Sequence, residues 1–304
     1  GNEHQMEEVV GGSTFLNFFN RLIHLARANT RSGSRKNISY HYDLGNDFYE
    51  LWLDPSMTYS SALYDQTEDL FEAQQTKYRR ICEMLNIQPG ETVLEIGCGW
   101  GGFAELAARE FGAQITGITL SKEQLAYAEA RIERQGLSHQ AQFHLTDYRD
   151  VSGQYDHIVS IEMFEAVGEE HWPTYFKQVK CLLKPGSSAL LQIITIANER
   201  FDSYRKSADF IQKYIFPGGM LPSPEALARE FDSAQLRLED SLYFGKDYAR
   251  TLAQWRHAFL AQWPRIQAQG FDERFRRMWL YYLCYCEGGF AESSIDVGLF
   301  KISN

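Results

Sequence analysis

Between residues 92 and 196 short apolar runs alternate with helical stretches, and that rhythm constrains the chain more than any other feature. The runs are TVLEIG, AQITGIT, AQFHLT, YDHIVSI and SALLQIITI; the helical stretches fall near 101–110, 121–135 and 172–183. Parallel strands need a crossover, and a helix is the usual one. The pattern therefore predicts βαβ units and an α/β fold, a mostly parallel sheet with helices on both faces. After Ile196 the rhythm breaks. ANERFDSYRKSADFIQKYIFPGGMLPS reads as an inserted lid over the sheet, near 197–222, and the chain returns to a helix (223–232), a strand (235–244), two aromatic-rich helices and a last strand, SIDVGLFKIS.

Upstream, TEDLFEAQQTKYRRICEMLNI reads as a helix closed by QPGE. The aromatic segment 37–65, broken by Gly45 and Pro55, reads as a lid rather than a regular core element. STFLNFFNRLIHLARAN (13–29) places Phe15, Phe18, Phe19, Leu22, Ile23 and Ala26 at helical spacing, which suits a helix lying on the protein's own core or docking on a membrane or partner domain. Residues 1–36 thus divide into an N-terminal helix and a basic linker, with 37–304 forming the main domain.

With 304 residues, 44% of them hydrophobic, the chain can bury one large core. A net charge of −10 excludes a global attraction to nucleic acid, although Arg21, Arg27, Arg31, Arg35 and Lys36 form a local basic stretch without an acid. The five cysteines, 82, 98, 181, 284 and 286, are odd in number and scattered, as reduced thiols of a cytoplasmic protein would be, and the lone CxC argues against a metal site. No apolar run reaches the roughly 18 residues of a membrane span and no signal peptide is apparent. The first residue is Gly rather than Met, which leaves the natural N-terminus open.

VLEIGCGWGGFAEL (93–106) sets Gly97, Gly99, Gly101 and Gly102 between the first strand and its helix, where a tight backbone can approach a nucleotide-type ligand. The spacing G-x-G-x-G departs from the dinucleotide fingerprint G-x-G-x-x-G. With Glu95 at the strand end it resembles the S-adenosylmethionine (SAM) loop of class I methyltransferases. The second strand ends in Thr119 and Leu120, with Gln124 one turn on, so ribose would meet neutral groups. Asp147, Tyr148 and Arg149 in LTDYRD follow the third strand and are candidates for adenine.

HYDLGNDFYELWLDPSMTYSSALY, VLEIGCGWGGFAELAARE, GITLSKEQLAYA, YDHIVSIEMFEAVG, FIQKYIFPGGMLPS and YCEGGF with IDVGLF together resemble the cyclopropane-fatty-acid synthase family, including the mycolic acid cyclopropane synthases, from about Asn37 to the C-terminus. The resemblance implies SAM-dependent methyl transfer to the double bond of an unsaturated acyl chain, commonly in a phospholipid, giving a cyclopropane. Longer family members carry an extra N-terminal domain, of which residues 1–36 could be the tail; the cysteines and the basic stretch 21–36 place the expected enzyme in the cytoplasm, in peripheral contact with the anionic inner face of the membrane, and a homodimer is compatible with this. Tyr59 and Ser60 join the cofactor side. A bound bicarbonate, the base for ring closure in the family, would be held by Ser61, Glu165, Gln192, Ile194 and Tyr248. Two positions depart from the family pattern: Ser61 replaces a cysteine, and Gln192 replaces a histidine that could titrate near neutrality.

An alkene is a weak nucleophile, so methyl transfer needs a dry apolar pocket, and aromatic faces can steady the resulting cation. Tyr59, Phe164, Tyr175, Phe210, Tyr214, Tyr248 and Tyr281 are candidates, each of which could equally be packing. Of the acids in IVSIEMFEAVGEEHW, Glu165, just past the fourth strand, is the expected member of the base site. Glu162 touches cofactor or lid; Glu169, Glu170 and His171 suit a solvated first helical turn. The alternatives are a branched rather than cyclic product, a small-molecule methyltransferase, and a silent lipid-binding protein.

Overall fold

The computed structural model describes residues 44–206 and 209–304. The N-terminal helix and basic linker of 1–36 lie outside the described residues. Among the described residues seven strands form one sheet: β1 (Thr92–Ile96), β2 (Gln114–Thr119), β3 (Ala141–Leu145), β4 (Tyr155–Ile161), β5 (Leu183–Ile196), β6 (Arg237–Tyr243) and β7 (Ile295–Ser303), in the order β3-β2-β1-β4-β5-β7-β6. β1 to β5 pair in parallel, while β7 runs antiparallel between β5 and β6. The expected alternation holds because β1, β4 and the inner part of β5 are covered on both faces and therefore read as continuous apolar runs.

The described helices are α1 (Asn46–Tyr49), α2 (Leu70–Leu85), α3 (Gly102–Phe111), α4 (Lys122–Arg134), α5 (Trp172–Leu182), α6 (Asn198–Tyr204), α7 (Phe210–Tyr214), α8 (Pro224–Ser233), α9 (Gly245–Ala261), α10 (Trp263–Ala268) and α11 (Glu273–Ala291). The two aromatic helices expected near the C-terminus are three. Pro264 restarts the helix as α10, and the Asp272 side chain, accepting from the Phe275 N–H at 2.8 Å, opens α11. α6 and α7 lie within the expected lid.

Segment 44–65 departs from expectation. It has little regular structure, but Phe48, Tyr49 and Trp52 are almost completely buried, so it is core rather than cover. Its rings pack against helices from far along the chain: Phe48 meets Trp279 at 5.3 Å, and Trp52 meets Trp255 at 5.8 Å. Trp100 Nε1 donates to Asn46 Oδ1 at 2.8 Å and Arg131 to the Ser56 and Trp100 carbonyls at 2.9 Å, which ties the segment to the glycine loop.

Strand order reverses between β1 and β4. In open α/β sheets the crevice beyond the carboxyl ends of the strands at such a point is where ligands bind. The glycine loop after β1 and the acidic turn after β4 meet there. Among the described residues no helix is long and apolar enough to cross a membrane, and no group of His, Cys, Asp and Glu could hold a metal.

Candidate active site

The turn after β1 has Gly97, Gly99 and Gly101 at φ of 82°, 51° and 81°, values that favour glycine. They serve different ends. A Cβ on Gly97 would come within 2.9 Å of Met163 Cγ and one on Gly101 within 3.0 Å of Ala128 Cβ, whereas one on Gly99 would meet nothing within 4 Å. Gly99 therefore borders open space at the carboxyl edge. Glu95, 3% exposed, has an Oε2 without a partner among the described residues, and burial pushes its carboxyl up to about 8. An open glycine cradle beside a partnerless buried carboxyl fits SAM, whose ammonium would favour the ionised form of Glu95 and donate to it.

The strand β2 end is neutral, as expected. Thr119 Oγ1 donates to Gln124 Oε1 at 2.8 Å and accepts from the Ser121 N–H at 3.1 Å, while Leu120 lies between them in sequence. Asp147 and Arg149 form an ion pair at 2.7 Å, and Tyr148 packs on Tyr175 at 5.3 Å. The pair cancels charge where an uncharged base is expected.

Of the five residues expected around bicarbonate, Ser61, Gln192 and Tyr248 come together on Glu162 instead, while Ile194 donates to Glu165. Glu162 Oε1 accepts from the Ser61 N–H at 2.8 Å and Gln192 Nε2 at 2.6 Å, and its Oε2 accepts from the Tyr248 hydroxyl at 2.6 Å. Glu165, the acid favoured from sequence, takes only the Ile194 N–H, at 2.6 Å on Oε1; its Oε2 has no partner among the described residues. Bicarbonate does not fit this arrangement, because the protein's own carboxylate already uses three of the donors that would hold it. Ser61 contributes its backbone N–H; its hydroxyl donates to the Ala62 carbonyl. The loss of a cysteine side chain there is therefore mild.

Glu162 reaches the pocket through a strained backbone. Its φ of 49° is left-handed, a conformation that a non-glycine residue adopts at about 1–3 kcal/mol. Two hydrogen bonds to one residue fix the turn: the Glu162 N–H donates to the Gln192 carbonyl at 2.9 Å while the Gln192 side chain returns one to the carboxylate. The Ser61 loop is held from two helices, by Gln74 on the Ser60 carbonyl at 2.8 Å and by Thr251 accepting from the Ala62 N–H at 3.1 Å.

These surroundings separate the two acids. Burial raises both carboxyls, but Glu162 has the Tyr248, Ser61 and Gln192 donors and the Lys77 charge to favour its ionised form. Glu165, raised by burial and then by the neighbouring Glu162 charge, sits at about 8 and is protonated at neutral pH. The two acids thus differ in their donors, three on Glu162 against the Ile194 N–H on Glu165.

The cation-stabilising candidates divide. Tyr59 and Tyr248 flank the pocket: Tyr59 shares a 2.8 Å hydroxyl contact with Tyr282, and Tyr248 stacks on Phe290 at 4.3 Å. Phe164 and Tyr175 belong to the core that also contains Trp172 and Phe176, away from this wall. Phe210 is half-buried, while Tyr214 and Tyr281 are 54% and 48% exposed. Glu169 is paired with Arg205 at 2.6 Å on the surface, and His171 lies 3.4 Å from Glu170. Sequence reasoning missed Tyr282 and the fully buried Lys77 and underrated Glu162. The departures from the family pattern at Ser61 and Gln192 were the available signal.

The sequence profile of mycolic acid cyclopropane synthetases matches residues 6–300. The tuberculostearic acid methyltransferase of Mycobacterium tuberculosis is 42% identical over 277 residues, covering 88% of this chain and 65% of that protein. The cyclopropane-fatty-acyl-phospholipid synthase of Escherichia coli is 44% identical over 257 residues, covering 84% and 65% respectively. The chain thus spans about two thirds or slightly less of these relatives, 65% in both cases. The cyclopropane synthase MmaA2 from Mycobacterium tuberculosis superposes with a TM-score of 0.83 at 29% identity, covering 89% of this chain and 98% of that one. The mycolic acid cyclopropane synthase CmaA1, in complex with SAH and CTAB, gives the same TM-score at 30% identity and the same coverage. The chain belongs to the mycolic acid cyclopropane synthetase family and has the class I methyltransferase fold.

Proposed function

We propose that this family member transfers a methyl group from SAM to the double bond of an unsaturated acyl chain, carried on a phospholipid, with Glu162 accepting the proton that leaves afterwards. The observation that carries the reading is the convergence of Ser61, Gln192 and Tyr248 on the Glu162 carboxylate. When bound, SAM would supply an electrophilic methyl, the S–CH₃ bond pair staying on sulfur as the neutral thioether leaves. Gly97, Gly99 and Gly101, Glu95, Thr119 and Gln124 are the residues that would hold it, with Tyr59, Ser60, Asp147, Tyr148 and Arg149 around them.

The alkene π pair forms the new carbon–carbon bond and leaves a cation on the neighbouring carbon. Tyr59, Tyr248, Tyr282 and Phe290 offer π faces and exclude water. Loss of a proton to Glu162 discharges the cation. If the proton leaves the transferred methyl, its bond pair closes a cyclopropane, which is the first reading. If it leaves a chain carbon, the product is branched. The second reading is favoured by Glu162 in place of a bound anion and by Gln192, which cannot relay a proton as imidazole can.

Delivery from a membrane suits the outer face of the lid. Tyr214, Tyr281 and Tyr285 are 54%, 48% and 45% exposed, and Phe210 joins α7 to α11 by an edge contact with Tyr281 at 4.6 Å. Exposed Arg274 and Arg277 continue the α11 stripe, a basic and aromatic surface on a chain of net charge −10. Such a stripe supports peripheral contact with anionic lipid.

Cells expressing the protein should accumulate acyl chains one CH₂ heavier than their unsaturated precursors, resolved by chromatography against ring and branched standards. An unchanged lipid profile alongside measurable SAM binding would overturn the assignment.

A further inference from the structure

Lys77 of α2 is completely buried, and its Nζ donates to Ser60 Oγ at 2.5 Å. Among the described residues it makes no direct ion pair, so an ammonium with three donors has one conventional partner and the Tyr78 ring, 4.7 Å from its Nζ. A buried charge so poorly matched is costly, and replacing it by an apolar side chain would ordinarily be neutral or stabilising. Its surroundings show what it does face. Burial pulls the ammonium down from the usual lysine range, and the opposing influences, in order, are Glu162, Asp54 and Glu95.

The geometry links Lys77 to Glu162 by two routes. One is mechanical: Lys77 holds the Ser60 side chain, and the next peptide N–H, that of Ser61, is the one Glu162 accepts. The other is electrostatic, through a water-poor interior where charge acts over longer distances. We propose that Lys77 is a positioning residue for Glu162: by holding the Ser60 hydroxyl it keeps the Ser60–Ser61 peptide in register, with the Ser61 N–H aimed at the carboxylate. The proposal rests on the reading of Glu162 as proton acceptor.

The other groups around Glu162 do not supply this charge. Tyr248 from α9 and Gln192 from β5 are neutral donors, Glu165 from the following turn is a second acid, and Cys286 from α11 is held as the neutral thiol by burial. Glu95 from β1 and Asp54 face Lys77 as further acids. Lys77 is the cation among these surrounding groups.

Lys77→Met keeps most of the side-chain volume and removes the charge. With ¹³C-labelled glutamate, and the Glu162 signal assigned by its loss in Glu162→Gln, the titration midpoint of Glu162 should rise by at least one pH unit in Lys77→Met. Should that variant not fold, Glu162→Gln reads the coupling from the other side: the Lys77 Nζ midpoint, followed by ¹⁵N NMR, should fall. An unmoved midpoint in the variant that folds overturns the proposal. In turnover, Lys77→Met should shift the acid limb of kcat/KM to higher pH and lower the rate along that limb, and this loss should vanish in the Glu162→Gln background. An equal loss in both backgrounds would mean a merely structural role. The NMR titration needs no substrate, so a protein that methylates no lipid refutes the functional reading separately from the coupling.

Discussion

Glu162→Gln should leave the fold and the cofactor site intact while removing the proton acceptor. Glu162 Oε1 takes two hydrogen bonds, from Ser61 N–H and Gln192 Nε2, and Oε2 takes one from the Tyr248 hydroxyl. A glutamine amide with its oxygen at the Oε1 position retains the first two. Its NH₂ then faces Tyr248, whose hydroxyl can rotate to accept. Weakening these contacts costs about 0.5–1.5 kcal/mol apiece, partly offset because a carboxylate no longer has to be buried. The melting temperature should therefore move little. Turnover should not be spared: a positioned general base contributes typically about 10²–10⁴-fold. At roughly 1.36 kcal/mol per factor of ten, that is about 2.7–5.4 kcal/mol on the barrier. The assay is incorporation of methyl label from SAM into unsaturated phospholipid vesicles, with SAM affinity measured by calorimetry on the same preparation. Affinity within a few-fold and turnover lowered at least a hundredfold are the expected pair. A rate within tenfold of the unaltered protein would refute the assignment of Glu162.

Three further outcomes follow from the site. Gly99→Val should abolish SAM binding in calorimetry while the protein stays folded, because its Cβ enters open space rather than protein, against the backbone strain that a left-handed φ of 51° puts on a β-branched residue; retained affinity would remove Gly99 from the cofactor cradle. Glu165 is protonated below its raised value of about 8 and ionises above it, placing a second charge beside Glu162. Glu165→Gln should therefore resemble the unaltered protein at pH 7 and flatten the part of the alkaline limb near pH 8; a large loss at pH 7 would show that its proton is needed. Changing Tyr214, Tyr281 and Tyr285 together to serine should reduce co-sedimentation with anionic vesicles without altering SAM affinity, and equal sedimentation would move the lipid contact elsewhere.

The sheet was legible because its central strands are apolar on both faces and separated by amphipathic crossovers, so periodicity alone reports β1 to β5. The cofactor loop was legible for a related reason: glycines at positive φ leave a fixed spacing. What sequence could not settle depends on long-range closure. Phe48, Tyr49 and Trp52 looked like cover because nothing nearby in sequence buries them; α9 and α11, about two hundred residues on, do so. The choice between Glu162 and Glu165 turned on one backbone angle, the left-handed φ at Glu162, which sends its side chain towards Ser61 and Tyr248. Strand position alone favoured Glu165. Lys77 gave no local signal, since a lysine in a helix between polar neighbours reads as solvated until the packing of α2 is known.

The most direct test supplies the purified protein with SAM carrying a trideuterated methyl group and with unsaturated phospholipid vesicles, and analyses the released acyl chains by mass spectrometry. The account predicts deuterium in the acyl chain, with one deuterium lost where the ring closes and none lost where the proton leaves a chain carbon, and incorporation suppressed in Glu162→Gln. Acyl chains free of deuterium, from a protein that binds SAM, would contradict it.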